Sequence, residues 1–264
     1  MYEFNYHKAT SVADAAAKLA AAADAKLMAG GQTLIAALKL RLASPSDVID
    51  LRGVAELRGI RKDGGVISIG ALTTHAEVAA STDVVQAVPA LANLAASIGD
   101  PMVRNMGTLG GSIANNDPAA DYPAGVLALG ATVHTNKRKI AAGDFFTGMY
   151  ETALQPGEII TSVSFPLPKR AGYAKFKNPA SRYAIVGVFV AETANGVRVA
   201  VTGAGPCVFR VPELEKALAS RFSADAVANI KVVASGLNSD MHASAEYRSH
   251  LVTVMAKRAV EAAT

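Results

Sequence analysis

The chain contains no tryptophan and only one cysteine, Cys207. An internal disulfide, an iron–sulfur cluster bound through cysteines and a zinc site built from several cysteines each need more thiols than this. All three are therefore excluded from this chain.

Long apolar runs and an N-terminal leader are also missing. Apolar runs such as residues 124–131 are far shorter than the roughly 20 residues that cross a bilayer. Residues 1–7 show no basic segment that leads into an apolar one. We expect no transmembrane segment and no secretory signal, and hence a cytoplasmic protein.

The charge pattern and the histidines carry little functional signal. Lysine and arginine number 26 against 22 acidic residues, and the densest basic stretch is residues 137–139, so no nucleic-acid partner is expected. His242 and His250 are too far apart for a zinc helix, and neither an H-E-x-x-H nor a G-x-S-x-G pattern occurs. We expect no metal site and no catalytic acid, base or nucleophile.

The chain does have the composition of a folded protein, with 51% hydrophobic and 18% charged residues. Ser11 and the apolar spacing behind it predict a helix over 11–24, and Asn195-Gly196 predicts a hairpin that makes residues 185–203 antiparallel. Further helices are predicted near 34–42, 74–80, 84–98, 212–220, 223–234 and 243–262, and strands at 26–29, 48–51, 66–70, 132–135, 159–165, 173–177, 185–192 and 197–202. Pro166 and Pro168 mark the predicted domain boundary. Because both helices and strands are predicted and the C-terminal strands are antiparallel, we expect an α+β chain.

The first informative motif is the segment Ala29-Gly30-Gly31-Gln32-Thr33, which lies directly between a predicted strand and a predicted helix. Paired glycines leave room for a ligand to touch the backbone, and amides at a helix start favour an anion such as phosphate. A plain strand-to-helix turn that needs a positive φ explains the same residues.

The second motif is a predicted glycine-rich loop, Gly107-Thr108-Leu109-Gly110-Gly111-Ser112, followed by the polar residues 115–118 and by Asp121. Its glycines would free backbone amides, its hydroxyls would donate, and Asp121 could accept from sugar hydroxyls. Two such loops could hold a diphosphate from both sides.

Neither motif matches the common nucleotide fingerprints. The chain has no G-x-x-x-x-G-K-[ST], and its nearest G-x-G, at Gly203 and Gly205, has Val208 where a third glycine is required. A P-loop NTPase and a standard Rossmann dehydrogenase are therefore disfavoured.

Taken in order, several segments resemble the FAD-binding medium subunits of molybdenum hydroxylases, a family that includes the carbon monoxide dehydrogenase medium subunit and the flavin domain of xanthine dehydrogenase. The resemblance covers nearly the whole chain. It rests on residues 29–33, 39–43, 48–51, 70–74, 104–112, 117–121, 176–184 and 242–251.

The resemblance implies a fold and a set of site residues. The fold is a two-part FAD-binding domain of the covalent-flavoprotein (PCMH-type) superfamily over 1–168, with parts of about 1–56 and 57–168, followed by a C-terminal antiparallel sheet with helices over 169–264. The residues that match FAD ligands are Ala29, Gly30, Gly31, Gln32, Thr33, Thr108, Leu109, Gly110, Gly111, Ser112, Asp121, Ile160, Lys177 and Tyr183.

The resemblance also implies how these residues act. The two glycine segments would bind the diphosphate, and Asp121 the flavin hydroxyls. Ile160, Lys177 and Tyr183 would lie near the flavin. A core-edge strand tyrosine and an exposed strand lysine are the alternatives for Tyr183 and Lys177. The first motif carries Gln32 and Thr33 where covalent relatives carry histidine, so dissociable FAD is expected.

The function that the resemblance implies is an electron relay. FAD on this chain would take electrons from two 2Fe-2S clusters of a small subunit, fed by the molybdenum cofactor of a large subunit, and pass them to an external acceptor. The expected assembly is a dimer of heterotrimers. Two alternatives are a self-contained flavin oxidoreductase and a non-catalytic nucleotide-binding scaffold.

Overall fold

Three main β-sheets follow one another along the chain in the computed structural model, which describes residues 1–264. The first sheet is parallel, with strand order β1-β3-β2. Ser11 accepts a hydrogen bond from the amide of Asp14 and so begins the first helix, as predicted. The elements are β1 (Asn5–Lys8), α1 (Val12–Ala21), β2 (Ala25–Met28), α2 (Leu34–Lys39) and β3 (Asp47–Asp50).

The second sheet is antiparallel and has the order β4-β5-β10-β6-β7. The helices between its strands cover one face. Its elements are a 3-10 turn (Ala55–Leu57), β4 (Ile60–Asp63), β5 (Val66–Gly70), α3 (His75–Ala80), α4 (Thr82–Ala87), α5 (Pro89–Ala96), α6 (Pro101–Met106), α7 (Leu109–Asn115), α8 (Tyr122–Ala128), β6 (Thr132–Thr135), β7 (Lys139–Ala141), α9 (Ala142–Phe145), the hairpin β8 (Phe146–Gly148) and β9 (Glu151–Thr152), and β10 (Ile160–Pro166).

The third sheet is antiparallel in the order β11-β12-β13-β14, which confirms the predicted hairpin at Asn195-Gly196. Its central strand is buried on both faces: Val188 packs with the C-terminal helices, whereas Phe189 joins the core under the second sheet. The elements are β11 (Arg170–Lys177), β12 (Ala184–Thr193), β13 (Gly196–Thr202), β14 (Phe209–Arg210), α10 (Pro212–Ser220), α11 (Ala224–Val227) and α12 (Ala245–Glu261).

Three predicted elements are wrong. The helix expected over 84–98 is divided at Val88 into α4 and α5, because a residue before proline is pushed out of the helical conformation. The helix expected over 223–234 ends at Val227. Beyond it, the carbonyls of Ile230 and Val232 accept from the hydroxyls of Thr253 and Ser249 on α12, so side chains replace the helical hydrogen bonds. The glycine-rich stretch over 107–112, expected to be a loop, instead follows directly on helix α6 and begins helix α7 at Leu109.

Helices α6 and α7 form because polar side chains cap them. Asp100 accepts from the amide of Val103 at 2.9 Å, and Thr108 accepts from the amide of Gly111 at 3.1 Å. Gly110 and Gly111 therefore lie in the first turn of a helix, where glycine is otherwise unfavourable. None of the helices in the structure combines the length and the hydropathy that a bilayer crossing requires.

The contact between β11 and α12 offers a test of packing. A Cβ on Gly172 would lie 1.9 Å from the backbone oxygen of Ala259, whereas a Cβ on Gly143 would meet nothing within 4 Å. We expect Gly172→Ala to lower the free energy of unfolding by about 2 kcal/mol, because backbone cannot give way as a flexible side chain does. Gly143→Ala should leave it unchanged or slightly raised. Equal urea midpoints for the two variants would contradict this packing.

Candidate functional site

A cavity of about 740 Å³ lies where the three parts of the chain meet. Its lining comes from residues 26–51 of the first part, residues 57–160 of the second and residues 181–183 of the turn between β11 and β12. The predicted glycine segments both contribute to this lining.

The first glycine segment presents free backbone donors. The N–H groups of residues 30–34 donate to no atom of the protein, although these residues line the cavity and lead into the first residue of α2. Gly31 has φ +75°, a conformation that favours glycine. Unpaired N–H groups in a partly enclosed site attract an acceptor, and a diphosphate supplies several.

The second glycine segment does not match its prediction, because its amides are already used. Leu109 and Gly110 donate to the carbonyls of Thr73 and Ala71 at 3.1 and 2.8 Å. Gly111 donates to the Thr108 hydroxyl, and the amide of Ser112 to the Thr108 carbonyl at 3.0 Å. Within residues 108–112, only the Thr108 amide has no protein acceptor. This segment therefore contributes its surface to the cavity but only one free amide.

The two segments lie against each other. A Cβ on Gly30 would be 1.8 Å from the backbone oxygen of Met106, and a Cβ on Gly110 would be 2.6 Å from the Ala71 side chain. Both glycines are therefore needed for close packing within the protein, a reason that the ligand-based interpretation of these motifs did not include. The alternative of a plain turn explains Gly31 but not the free amides that follow it.

Asp121 is a buried carboxylate with one oxygen left for a ligand. Its Oδ1 is 2.8 Å from Lys175 Nζ and accepts from Tyr173 Oη at 2.5 Å. Its Oδ2 has no protein donor and is not closed off from the cavity that the residue lines. Burial raises the pKa of this carboxyl, while the ammonium of Lys175 and the hydroxyl of Tyr173 act against that rise.

Two tyrosines line the cavity while keeping about half of their surface in solvent. Tyr150 and Tyr183 are 59% and 48% exposed, and Tyr150 Oη donates to Asp117 Oδ2 at 3.3 Å. Tyr150 itself has φ +56°, and Arg182, directly before Tyr183, has φ +62°, so a left-handed residue lies at or next to each tyrosine. Burial and the charge of Asp117 raise the pKa of both phenols. The exposure shows that these two lie at the mouth.

His75 is a neutral, buried part of the cavity wall. Its ring lies 5.3 Å from the ring of Tyr122, and its Nδ1 is buried without a hydrogen-bond partner, as is the Tyr122 hydroxyl. Burial, assisted by the positive charge of Arg104, lowers the pKa of His75 to about 4. The imidazole is therefore uncharged at neutral pH.

Most of the residues expected from the sequence line this one cavity. Those that do are Ala29, Gly30, Gly31, Gln32, Thr33, Thr108, Gly110, Gly111, Ser112, Asp121, Ile160 and Tyr183. Tyr183 lies in a turn, so the alternative of a core-edge strand tyrosine is wrong.

Leu109 and Lys177 are corrections, because neither lines the cavity. The Leu109 side chain is fully buried in the core, as the first residue of α7. Lys177 is exposed at the end of β11, as its alternative interpretation expected, since a bulge between Phe176 and Lys177 shifts the pairing with β12. The lysine that contacts a lining residue is Lys175, two residues earlier, whose Nζ pairs with Asp121.

The sequence interpretation missed Tyr150, His75 and the pair Tyr173 and Lys175. The alternation of β11 places Tyr173, Lys175 and Lys177 on one face, a signal that indicates the face but not which lysine is buried. No local pattern marks Tyr150, whose place depends on Asn116 Nδ2 donating to the carbonyls of Gly148 and Glu151.

Family models match almost the whole chain. Residues 2–168 match the FAD binding domain in molybdopterin dehydrogenase, and residues 171–263 match the CO dehydrogenase flavoprotein C-terminal domain. The chain belongs to the family of FAD-binding medium subunits of molybdenum hydroxylases.

Individual members of this medium-subunit family are similar over nearly their full length. The carbon monoxide dehydrogenase medium chain of Afipia carboxidovorans is 37% identical, with 98% of this chain and 96% of the relative covered. The nicotine 6-hydroxylase medium subunit of Paenarthrobacter nicotinovorans is also 37% identical, with 97% and 95% covered. The solved structure of reconstituted CO dehydrogenase from Oligotropha carboxidovorans has a TM-score of 0.89 at 33% identity, covering 98% of this chain and 97% of that one.

The burial of His75 predicts a pH-dependent stability of this medium subunit. The pKa is about 4 in the folded chain against an ordinary 6.5, so the unfolded chain binds more protons between these values and stability falls as the pH drops from 6.5 to 4. His75→Phe removes this component. The wild-type free energy of unfolding should therefore decline relative to that of the variant by up to about 3 kcal/mol over this range, measured by urea denaturation. A constant difference between the two proteins would contradict a neutral buried His75.

Proposed function

We propose that this medium subunit holds one dissociable FAD in the cavity between its three sheets and acts as an electron relay. It would connect two 2Fe-2S clusters of a small subunit, fed by the molybdenum cofactor of a large subunit, to an external electron acceptor. When bound, FAD can accept electrons singly or in pairs, so it can join one-electron and two-electron partners.

The observation that carries this proposal is the row of unpaired N–H groups over residues 30–34. A diphosphate is the part of FAD that needs several donors, and these amides supply them. The free amide of Thr108 lies on the adjoining wall and adds a further donor. The residues present therefore fit the diphosphate.

The remaining lining residues suit the other parts of FAD. Asp121 Oδ2 is an acceptor for sugar-alcohol hydroxyls. Ile160 supplies an apolar wall, and the rings of Tyr150 and Tyr183 at the mouth can pack against an aromatic ring system. We place the flavin ring at this mouth, where an acceptor from solvent can reach it.

The side chains near the diphosphate segment support a non-covalent site. Gln32 and Thr33 offer no nucleophile that forms a stable bond to the flavin, and Cys207 is not among the lining residues. His75 lines the cavity but is almost fully buried beside Gly107.

The partner chains follow from the cysteine count and from the family. One cysteine cannot bind a 2Fe-2S cluster, so cluster-bearing chains must be separate, and we propose a dimer of heterotrimers. Relatives of equal identity are named for carbon monoxide and for nicotine, which supports substrate selection on another subunit of the complex.

The purified chain offers a direct test. Incubated with FAD and then desalted, it should keep a flavin absorption spectrum, and acid precipitation should release all of the flavin into the supernatant. Yellow colour that stays on the precipitate would contradict dissociable binding. A chain that never binds FAD would overturn the proposal, whereas turnover of an organic substrate by the chain alone would favour a self-contained oxidoreductase.

A glycine substitution tests the diphosphate segment. Gly30→Ala places a methyl group against the Met106 carbonyl, so the segment must move away from α6 and its amides lose their alignment. We expect FAD affinity to fall by at least about tenfold, equivalent to about 1.4 kcal/mol. Gly65→Ala is the matched control, because its Cβ would meet nothing within 4 Å. Equal affinity of the two variants, measured by quenching of flavin fluorescence, would contradict the assignment.

A further inference from the structure

The flavin site of the proposed function contains a buried ion pair that joins the two family domains. Asp121 belongs to the part that matches the FAD binding domain, whereas Lys175 belongs to the part that matches the C-terminal domain. Both side chains are 5% exposed, and their charged atoms are 2.8 Å apart. Water therefore contributes little to the solvation of either charge.

The surroundings fix Lys175 in this position. Its Nζ also donates to the carbonyl of Ser97, the C-cap residue directly after α5, at 3.0 Å. Directly opposite on β12 stands Gly187, where a Cβ would lie 2.6 Å from Tyr173 Oη. The missing side chain at Gly187 lets Tyr173 reach Asp121.

Both donors contact the same oxygen of the Asp121 carboxylate, and the second oxygen has no donor. Tyr173 and Lys175 both contact Oδ1, while Oδ2 has no protein donor and is not closed off from the cavity that Asp121 lines. An ionised carboxylate can only accept at Oδ2, whereas a protonated one can donate there and loses acceptor capacity. The charge state of Asp121 therefore decides what the site offers to a ligand hydroxyl.

We propose that Lys175 is a positioning residue of the C-terminal domain that keeps Asp121 ionised and oriented, so that Asp121 Oδ2 accepts from the hydroxyl groups of FAD. This inference rests on the proposed function. Tyr173 assists by fixing the rotation of the carboxylate about its Cβ–Cγ bond.

The other titratable groups near Asp121 do not replace Lys175. Those that face it are Tyr173 on β11, Tyr122 on α8 and Tyr183 in the β11–β12 turn, all of them phenols. Burial raises the pKa of each, and the charge of Asp121 raises it further, so they stay neutral where Asp121 is ionised. Lys175 is the positive charge in contact with this carboxylate.

The test is the pH dependence of FAD affinity of the full chain, followed by flavin fluorescence. Protonation of Asp121 weakens binding, so affinity should fall as the pH drops through the pKa of this carboxyl. Without the ammonium group that pKa rises, and the midpoint of the profile for Lys175→Met should move upward by at least one pH unit. Below its midpoint the affinity should decline by up to about tenfold per pH unit. An unmoved midpoint in folded Lys175→Met overturns the proposal.

Matched variants separate this role from a merely structural one. Lys177→Met removes the exposed lysine of the same strand and should leave both the affinity and the midpoint unchanged. Asp121→Asn should weaken binding and abolish this pH dependence, and adding Lys175→Met to it should change neither further, because the titrating group is gone. A pH profile that still responds to Lys175→Met in the Asp121→Asn background overturns the proposal.

A second variant covers the case in which Lys175→Met does not fold because it leaves a buried carboxylate unpaired. Tyr173→Phe keeps the ring against Phe189 and removes one donor to Oδ1. Its midpoint should move upward by a smaller amount, and an unchanged midpoint overturns the proposal. If wild-type chain binds FAD but the midpoints agree, only this inference fails, whereas wild-type chain that does not bind FAD contradicts the proposed function itself.

Discussion

The backbone contact between Gly30 and the end of α6 is the constraint on which the cavity depends. It brings the turn after β2 against the Met106 carbonyl, so that the first glycine segment is held by packing and not by its own hydrogen bonds. The N–H groups of residues 30–34 stay unpaired as a result. A segment that satisfied these donors internally would have the same shape but nothing to offer an anion.

The second glycine segment complements the first by being closed. Its amides bind the carbonyls of residues 71 and 73 and the cap Thr108, which fixes α7 against the turn after β5. The first segment thus offers its N–H groups to a ligand, while the second segment holds the first in position. Two similar-looking motifs have different physical roles, and the difference lies in which carbonyls come within reach.

The C-terminal sheet completes the site as well as covering the core. Because β12 is buried on both faces, the sheet packs with α12 on one side and with the core beneath the second sheet on the other. The inner side also brings Lys175 and Tyr173 to Asp121. Pairing and hydrogen bonding offset the desolvation of the two charges, so the carboxylate depends on a residue more than 50 positions away in the chain. The predicted boundary near Pro166 and Pro168 stays a prediction, and the side-chain contacts cross it.

Sequence patterns located the site well where function depends on local chain geometry. The strand, glycine turn and helix around residues 29–33 all lie within residues 25–39, and the hairpin at Asn195-Gly196 joins two strands that follow each other directly. Sequence patterns gave wrong predictions where the role of a residue depends on a partner far away in the chain. The choice between Lys175 and Lys177 depends on a bulge in the pairing with β12. The use of the amides of Leu109 and Gly110 depends on the distant carbonyls of residues 73 and 71. Neither signal exists within one segment.

Among the ionisable lining residues compared below, Asp121 is the one whose charge depends most on its partner, Lys175. His75 has a pKa of about 4, so it is neutral throughout the neutral range, and bidentate pairing with Arg138 lowers the pKa of Glu158 to about 2, so it is ionised there. Burial raises the pKa of the Asp121 carboxyl, and the ammonium of Lys175 and the hydroxyl of Tyr173 act against that rise. The charge of Asp121 is therefore the one that a change in its surroundings can switch, and a fixed ammonium group beside it opposes that switch without narrowing the cavity.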